Sequence, residues 1–187
     1  LPMVQEKILK HIHSFGKPIV LVLLNGGAMS VNWEDENVDA ILEAWYPGEE
    51  GGNAIADVLF GKYNPSGRLP VTFYRSVNDL PPFDDYNMNG RTYKYFAGTP
   101  LYEFGYGLSY TTFAYSNLKA PSTLRTNETV TIRVDVENIG QMDGEEVVQL
   151  YVQHQTTKYP VPRYALQGFK RVFLKKGEKK TVEFIVT

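Results

Sequence analysis

The residues best able to do chemistry in this chain are its clustered carboxylates. Glu34-Asp35-Glu36 and Glu49-Glu50 are close pairs of the type used for general acid and base work. Both sit where a helix is expected to begin, and there the helix dipole stabilises a solvated carboxylate without any catalytic role. His11 and His13 are two residues apart on an expected helix, so they face different ways and make no joint metal site, and His154 has no ligand partner in sequence. Ser66 and Ser109 lie in glycine-rich turns but lack the G-x-S-x-G elbow of an activated nucleophile. Asn25-Gly26-Gly27 follows an apolar strand, yet neither phosphate-binding glycine pattern accompanies it, so it reads as a sheet-end loop. The chain has no cysteine, which excludes disulfides, thiolate metal sites and a cysteine nucleophile.

Aromatic residues supply the remaining candidates. Arg91, Tyr93 and Tyr95 open a run that continues through Phe96, Tyr102, Phe104, Tyr106, Tyr110, Phe113 and Tyr115. Arg91 with the two tyrosines is a candidate rim for a sugar ring. The same rings suit packing between two domains, with Gly105 and Gly107 allowing close backbone approach. Trp33 and Trp45 divide the same way, into core or interface first and sugar platform second.

The elements that must position these residues follow from periodicity. Val4, Ile8, Ile12 and Phe15 recur at helical spacing over residues 1–15, Glu6 and Lys10 form an i,i+4 pair, and Gly16 ends the helix. The apolar run Pro18 to Leu24 predicts a strand covered on both faces, as in a parallel sheet. Further expectations are a strand over Ala40 to Tyr46 and a helix over Gly48 to Phe60 burying Ile55, Val58 and Leu59. A third strand is expected over Leu69 to Tyr74. After Pro81-Pro82 the texture changes. Thr129 to Asn138 places Val130, Ile132, Val134 and Val136 on one face, and strands over Glu146 to Gln153, Leu166 to Leu174 and Thr181 to Val186 follow. About five strands are expected against roughly seven in an immunoglobulin-like sandwich, so the sandwich reads as truncated at its C-terminus.

Charge and hydropathy bound the partners. A net charge of −2 gives no reason to expect nucleic acid, and the 11 basic against 8 acidic residues of 112–187 are interspersed as on a solvated β surface. No apolar run reaches membrane-span length, no membrane partner is expected, and the N-terminus lacks the three regions of a signal peptide.

Three blocks carry a family signal: WYPGEEGGNAIADVLFGKYNPSGRLPVTF (45–73), GRTYKYF with PLYEFGYGLSYTTFAY (90–115), and ENIGQMDGEEVVQLYV (137–152). With RYALQGFKRVFLKKGE they resemble the C-terminal part of a glycoside hydrolase family 3 enzyme of the β-glucosidase or β-xylosidase type, in order over essentially the whole chain. The resemblance implies an α/β plus all-β fold: residues 1–83 as the C-terminal half of an α/β (parallel-sheet) sandwich domain, 84–111 as an aromatic-rich interdomain segment, and 112–187 as an incomplete fibronectin type III-like β-sandwich. It implies hydrolysis of terminal β-linked sugars by retention, with a β-linked oligosaccharide or glycoside as the parent's substrate and a (β/α)8 barrel elsewhere in the same protein. The parent is expected to be periplasmic or secreted. In the family the nucleophilic aspartate lies on that barrel, and the acid/base glutamate lies just upstream of the helix that Leu1-Pro2 begins. No carboxylate of this sequence matches either role, so no catalytic residue, cofactor or metal ligand is assigned. A non-catalytic carbohydrate-binding or scaffold module is the alternative reading.

Overall fold

The computed structural model describes residues 1–123 and 128–186, which divide into two compact units. The first unit comprises residues 1–59 with 70–104, and the second comprises 60–69 with 105–187.

In the first unit, α1 (Met3–His13) precedes β1 (Val20–Leu23), α2 (Asn32–Asn37), β2 (Ala40–Glu43) and α3 (Gly51–Leu59). A short α4 (Thr92–Tyr95) comes later in the chain. Strands β1 and β2 pair in parallel, Val20 opposite Ala40 through Leu23 opposite Glu43, with α2 as the crossover that parallel pairing requires. Asp39 fixes the entry to both strands by accepting the Ile19 N–H at 2.7 Å. Val31 and Phe73 are the most buried apolar residues of this unit, and the Phe73 ring meets Trp45 and Tyr102.

Several expectations fail here: Leu59 of α3, expected buried, is 40% exposed, and Val20 of β1, expected covered, is 51% exposed. No third strand forms over Leu69 to Tyr74. Pro70 has no N–H to give a ladder, and Phe73 makes only a single antiparallel bridge, to Tyr102. Helix α1 forms with the predicted Glu6–Lys10 pair, but its apolar stripe is not covered by the described residues. Val4, Ile8, Ile12 and Phe15 are all exposed, and only Leu9 is buried.

The second unit is built from β3 (Phe113–Lys119), β4 (Val130–Asn138), β5 (Gly144–Val152), β6 (Ala165–Leu174) and β7 (Lys179–Val186). β3, β4 and β7 form one antiparallel sheet, and β5 and β6 another. Their inner faces share a core of Val136, Val148, Leu174, Val182 and Phe184, flanked by Phe113, Val134, Leu150 and Val172. The alternation predicted for β4 is therefore what builds the sandwich. The connection from β6 to β7 carries the chain from one sheet to the other and turns at Gly177, whose φ of 76° suits a residue without a side chain.

The aromatic run belongs to both units. Tyr93, Tyr95, Phe96, Tyr102 and Phe104 are half-buried in the first, whereas Tyr106, Tyr110 and Tyr115 in the second are about half exposed or nearly so, at 43, 50 and 51%.

Candidate functional site

The carboxyl ends of β1 and β2 bring together groups that the strand pattern alone does not single out. Asn25 lies two residues beyond the end of β1, and Glu43 is the last residue of β2. One Glu43 carboxylate oxygen, Oε1, accepts the Trp45 N–H at 3.1 Å. Trp45 has φ 55°, a left-handed conformation that costs a bulky residue energy and tends to persist where the surroundings over-determine it. Burial pushes the Glu43 carboxyl above the ordinary glutamate range, and the Trp45 N–H and the Asn25 side chain act against that rise. Asn25 gives its Nδ2 to the Gly27 carbonyl at 2.5 Å. Asn25 Oδ1 and Glu43 Oε2 are both buried without a hydrogen-bond partner among the described residues. Next to them Gly26 lies against the Tyr46 ring so closely that a Cβ would stand 2.5 Å from it.

The acidic clusters separate. Asp35 and Glu36 are exposed, and Asp35 accepts the Tyr102 hydroxyl at 2.6 Å. Glu34, expected at a solvated helix start, is instead 2% exposed, with Oε1 unpartnered among the described residues. Its position in α2, directly after Trp33 and three residues beyond the fully buried Val31, turns it inward. Glu49 and Glu50 are exposed just ahead of α3, and Glu50 accepts from Asn53. His11 meets Phe15 edge-on, and His13 meets Trp33, which also lies under the Lys10 ammonium. Among the described residues no three His, Cys, Asp or Glu side chains are placed to hold a metal ion.

Arg91 directs its guanidinium to the loop before it. Nε reaches Asn87 O at 3.1 Å, and Nη2 reaches Pro82 O at 3.0 Å and Asp85 O at 2.5 Å. Tyr93 stacks on Phe104, with centroids 4.2 Å apart and planes 12° apart. Tyr95 is half-buried at the end of α4.

In the second unit the polar side chains form a closed network. Arg68 reaches Glu146 at 2.8 Å, and the Tyr115 hydroxyl donates to the other Glu146 oxygen at 3.1 Å. Burial and the Glu146 carboxylate push the Tyr115 hydroxyl upward, so it stays a donor. Ser66 is 2% exposed and holds no nucleophilic geometry: it donates to Glu145 and accepts from Arg171 at 2.7 Å. Ser109 donates to Asn64 Oδ1 at 2.9 Å.

Residues 1–110 match the glycosyl hydrolase family 3 C-terminal domain, and residues 146–187 match the fibronectin type III-like domain. The chain belongs to glycoside hydrolase family 3. Among its relatives is a periplasmic β-glucosidase of Salmonella typhimurium, 46% identical over 98% of this chain and 26% of that protein. A xylan 1,4-β-xylosidase of Xylanibacter ruminicola is 43% identical over all of this chain and 21% of that protein. Among solved structures, the β-glucosidase from Listeria innocua in complex with isofagomine superposes with a TM-score of 0.88 at 35% identity, covering all of this chain and 28% of that one. This family 3 chain thus spans about a quarter of the length of the relatives it matches. The fibronectin-like match begins within β5, yet β3 and β4 belong to the same sandwich.

Sequence reasoning missed Glu43 and Asn25 as a pair. The signal was there: a carboxylate closes the otherwise apolar β2 (Ala-Ile-Leu-Glu), where it falls opposite buried Leu23 of β1.

Proposed function

We propose that this chain is the non-catalytic C-terminal portion of a retaining β-glycosidase acting on terminal β-linked sugars. Hydrolysis then requires the rest of the polypeptide, including a (β/α)8 barrel that carries the nucleophile. The observation that carries this reading is the extent of the similarity: the whole chain aligns with only a quarter of proteins named β-glucosidase and β-xylosidase. Retention needs two carboxyl groups about 5–5.5 Å apart, one a nucleophile and one an acid/base. Support for placing that pair outside this chain comes from the surroundings of its acidic clusters: Asp35 is bonded to Tyr102, and Glu49 and Glu50 lie on the surface. An independent carbohydrate-binding role draws little support from Arg91 and Tyr93, because one is engaged by loop carbonyls and the other by Phe104.

A chimera tests the proposal. This chain replaces the matching quarter of the Salmonella β-glucosidase, and hydrolysis of an aryl β-glucoside is measured. Turnover within about tenfold of the unaltered enzyme is expected. A chimera that folds, by circular dichroism and gel filtration, but does not turn over contradicts it.

A further inference from the structure

Two aromatic rings stand almost wholly in water on one short loop of the first unit: Phe83 is 97% exposed and Tyr86 is 90% exposed. Single exposed apolar residues need no explanation, but two rings within four residues of a tightly held loop do. Arg91 holds that loop, giving its guanidinium to the carbonyls of Pro82, Asp85 and Asn87. Asp85 Oδ1 accepts both the Asn87 N–H and the Asn87 Nδ2, each at 2.9 Å. The next residue after Arg91, Thr92, has φ 55°, a left-handed conformation that is costly for a β-branched side chain. Its N–H is given to the Tyr74 hydroxyl at 2.7 Å, and the Tyr74 ring packs edge-on against Phe96. Strain held in place by its surroundings collects at ligand clamps and active sites.

We propose that the loop 82–91 is a preorganised sugar-stacking platform. Phe83 and Tyr86 take the apolar faces of β-linked sugar units, and Asp84 and Asn89 meet their hydroxyls. The Arg91 guanidinium is engaged by the loop carbonyls, so the rings and not the cation carry the contact. The platform rests on the reading of this chain as part of a β-glycosidase, and it adds a contact for the sugar units of an oligosaccharide. A loop fixed before the ligand arrives loses little freedom on binding.

The make-up of the loop selects the occupant. Residues 76–90 include Asp79, Asp84 and Asp85 but neither lysine nor arginine, so a polyanion or an anionic membrane surface is repelled. A flat ring offers an apolar face, while the exposed Asp84 carboxylate and Asn89 amide offer acceptors and donors. A neutral ligand with C–H faces and a rim of hydroxyls uses both, and a β-linked pyranose is such a ligand. Apolar contact with a few polar groups to set orientation is the usual division of labour at a small-molecule site.

The test is a titration of the 187-residue chain with cellotetraose and with xylotetraose, followed by nuclear magnetic resonance. It reads the ring signals of Phe83 and Tyr86, each assigned by its loss in Phe83→Leu or Tyr86→Leu. The expected result is a saturable shift of both rings by at least one of the sugars, with a Kd in the millimolar range. The double leucine variant keeps apolar side chains but no flat face, and its binding should weaken by about tenfold or more. Tyr86→Phe keeps the ring and should bind within about threefold of the original chain. The Tyr93 and Phe104 ring signals report whether each variant keeps its fold, since those rings are stacked on one another. No shift of either ring at about 20 mM sugar, well above millimolar affinity, overturns the proposal. So does equal binding by the double leucine variant. Ring signals that move with chain concentration and ignore both sugars also overturn it, because the loop is then a contact between copies. The titration needs no turnover: a folded chimera without activity contradicts the glycosidase reading alone, and rings that ignore both sugars contradict the platform alone.

Discussion

The two units treat their buried polar groups differently. In the second, Asn138 is fully buried and makes four hydrogen bonds: Nδ2 to Met142 O and Leu174 O, and Oδ1 from Thr111 and Gly140. Glu146, Ser66 and Asn64 are likewise buried and each has at least two partners. In the first, side-chain atoms of Asn25, Asn32, Glu34, Glu43 and Thr72 are buried with none among the described residues. Because folded proteins pair nearly all such groups, the sandwich unit closes on its own side chains, and the α/β unit is where an added proton or partner changes most.

The largest test of that contrast is in the sandwich core. Leu174→Ala empties a fully buried site and should lower stability by about 3–4 kcal/mol, read by urea denaturation. A loss under ~1 kcal/mol would mean the core is loosely packed. Next comes Glu146→Ala, which leaves the Arg68 guanidinium, only 12% exposed, without its partner. A cost of about 2–3 kcal/mol is expected, somewhat below that of a fully buried pair, while Arg68→Met with Glu146→Leu should recover most of it. If the double variant is as unstable as the single, the network and not the stranded charge sets the cost.

Opposite responses to pH sharpen the comparison. The Arg171 guanidinium, with help from Tyr63, holds the Glu145 carboxyl below the usual range. Its contribution is present above the unfolded glutamate value of about 4.3 and is lost as pH falls through the folded value. Glu43 is raised, so its contribution is complete below that unfolded value and is lost as pH rises through the folded one. Stability profiles of Glu145→Gln and Glu43→Gln should therefore flatten on opposite sides, acid for the first and less acid for the second. Flattening on the same side would refute the assignment. The smallest effect belongs to α1: Ile8→Ser, at a site 56% exposed, should change stability by no more than about 0.5 kcal/mol.

Legibility in the sequence followed the same division. The β4 alternation is read directly because Val130, Ile132, Val134 and Val136 face one interior, and the parallel β1 is read from an unbroken apolar run. The third strand was misread because Leu69-Pro70-Val71-Thr72-Phe73-Tyr74 has strand composition, while the missing Pro70 N–H and the bridge to Tyr102 are matters of backbone and long-range partner. The amphipathic stripe of α1 gave the helix correctly but cannot say what covers it. Glu34 was misplaced for a related reason: helix-start statistics favour water, and only the tertiary position after Val31 shows it buried. Arg68 with Glu146 spans 78 residues, and Asn25 with Glu43 depends on strand register, so neither pair has a local pattern to find.

The proposed division, family 3 structure in this chain and family 3 catalysis elsewhere in the polypeptide, has a direct test. The most direct measurement is hydrolysis of aryl β-glucosides and β-xylosides by the purified 187-residue chain. No turnover above the uncatalysed rate is predicted. Robust turnover that disappears on mutating Glu34, Glu36 or Glu49 would contradict the account.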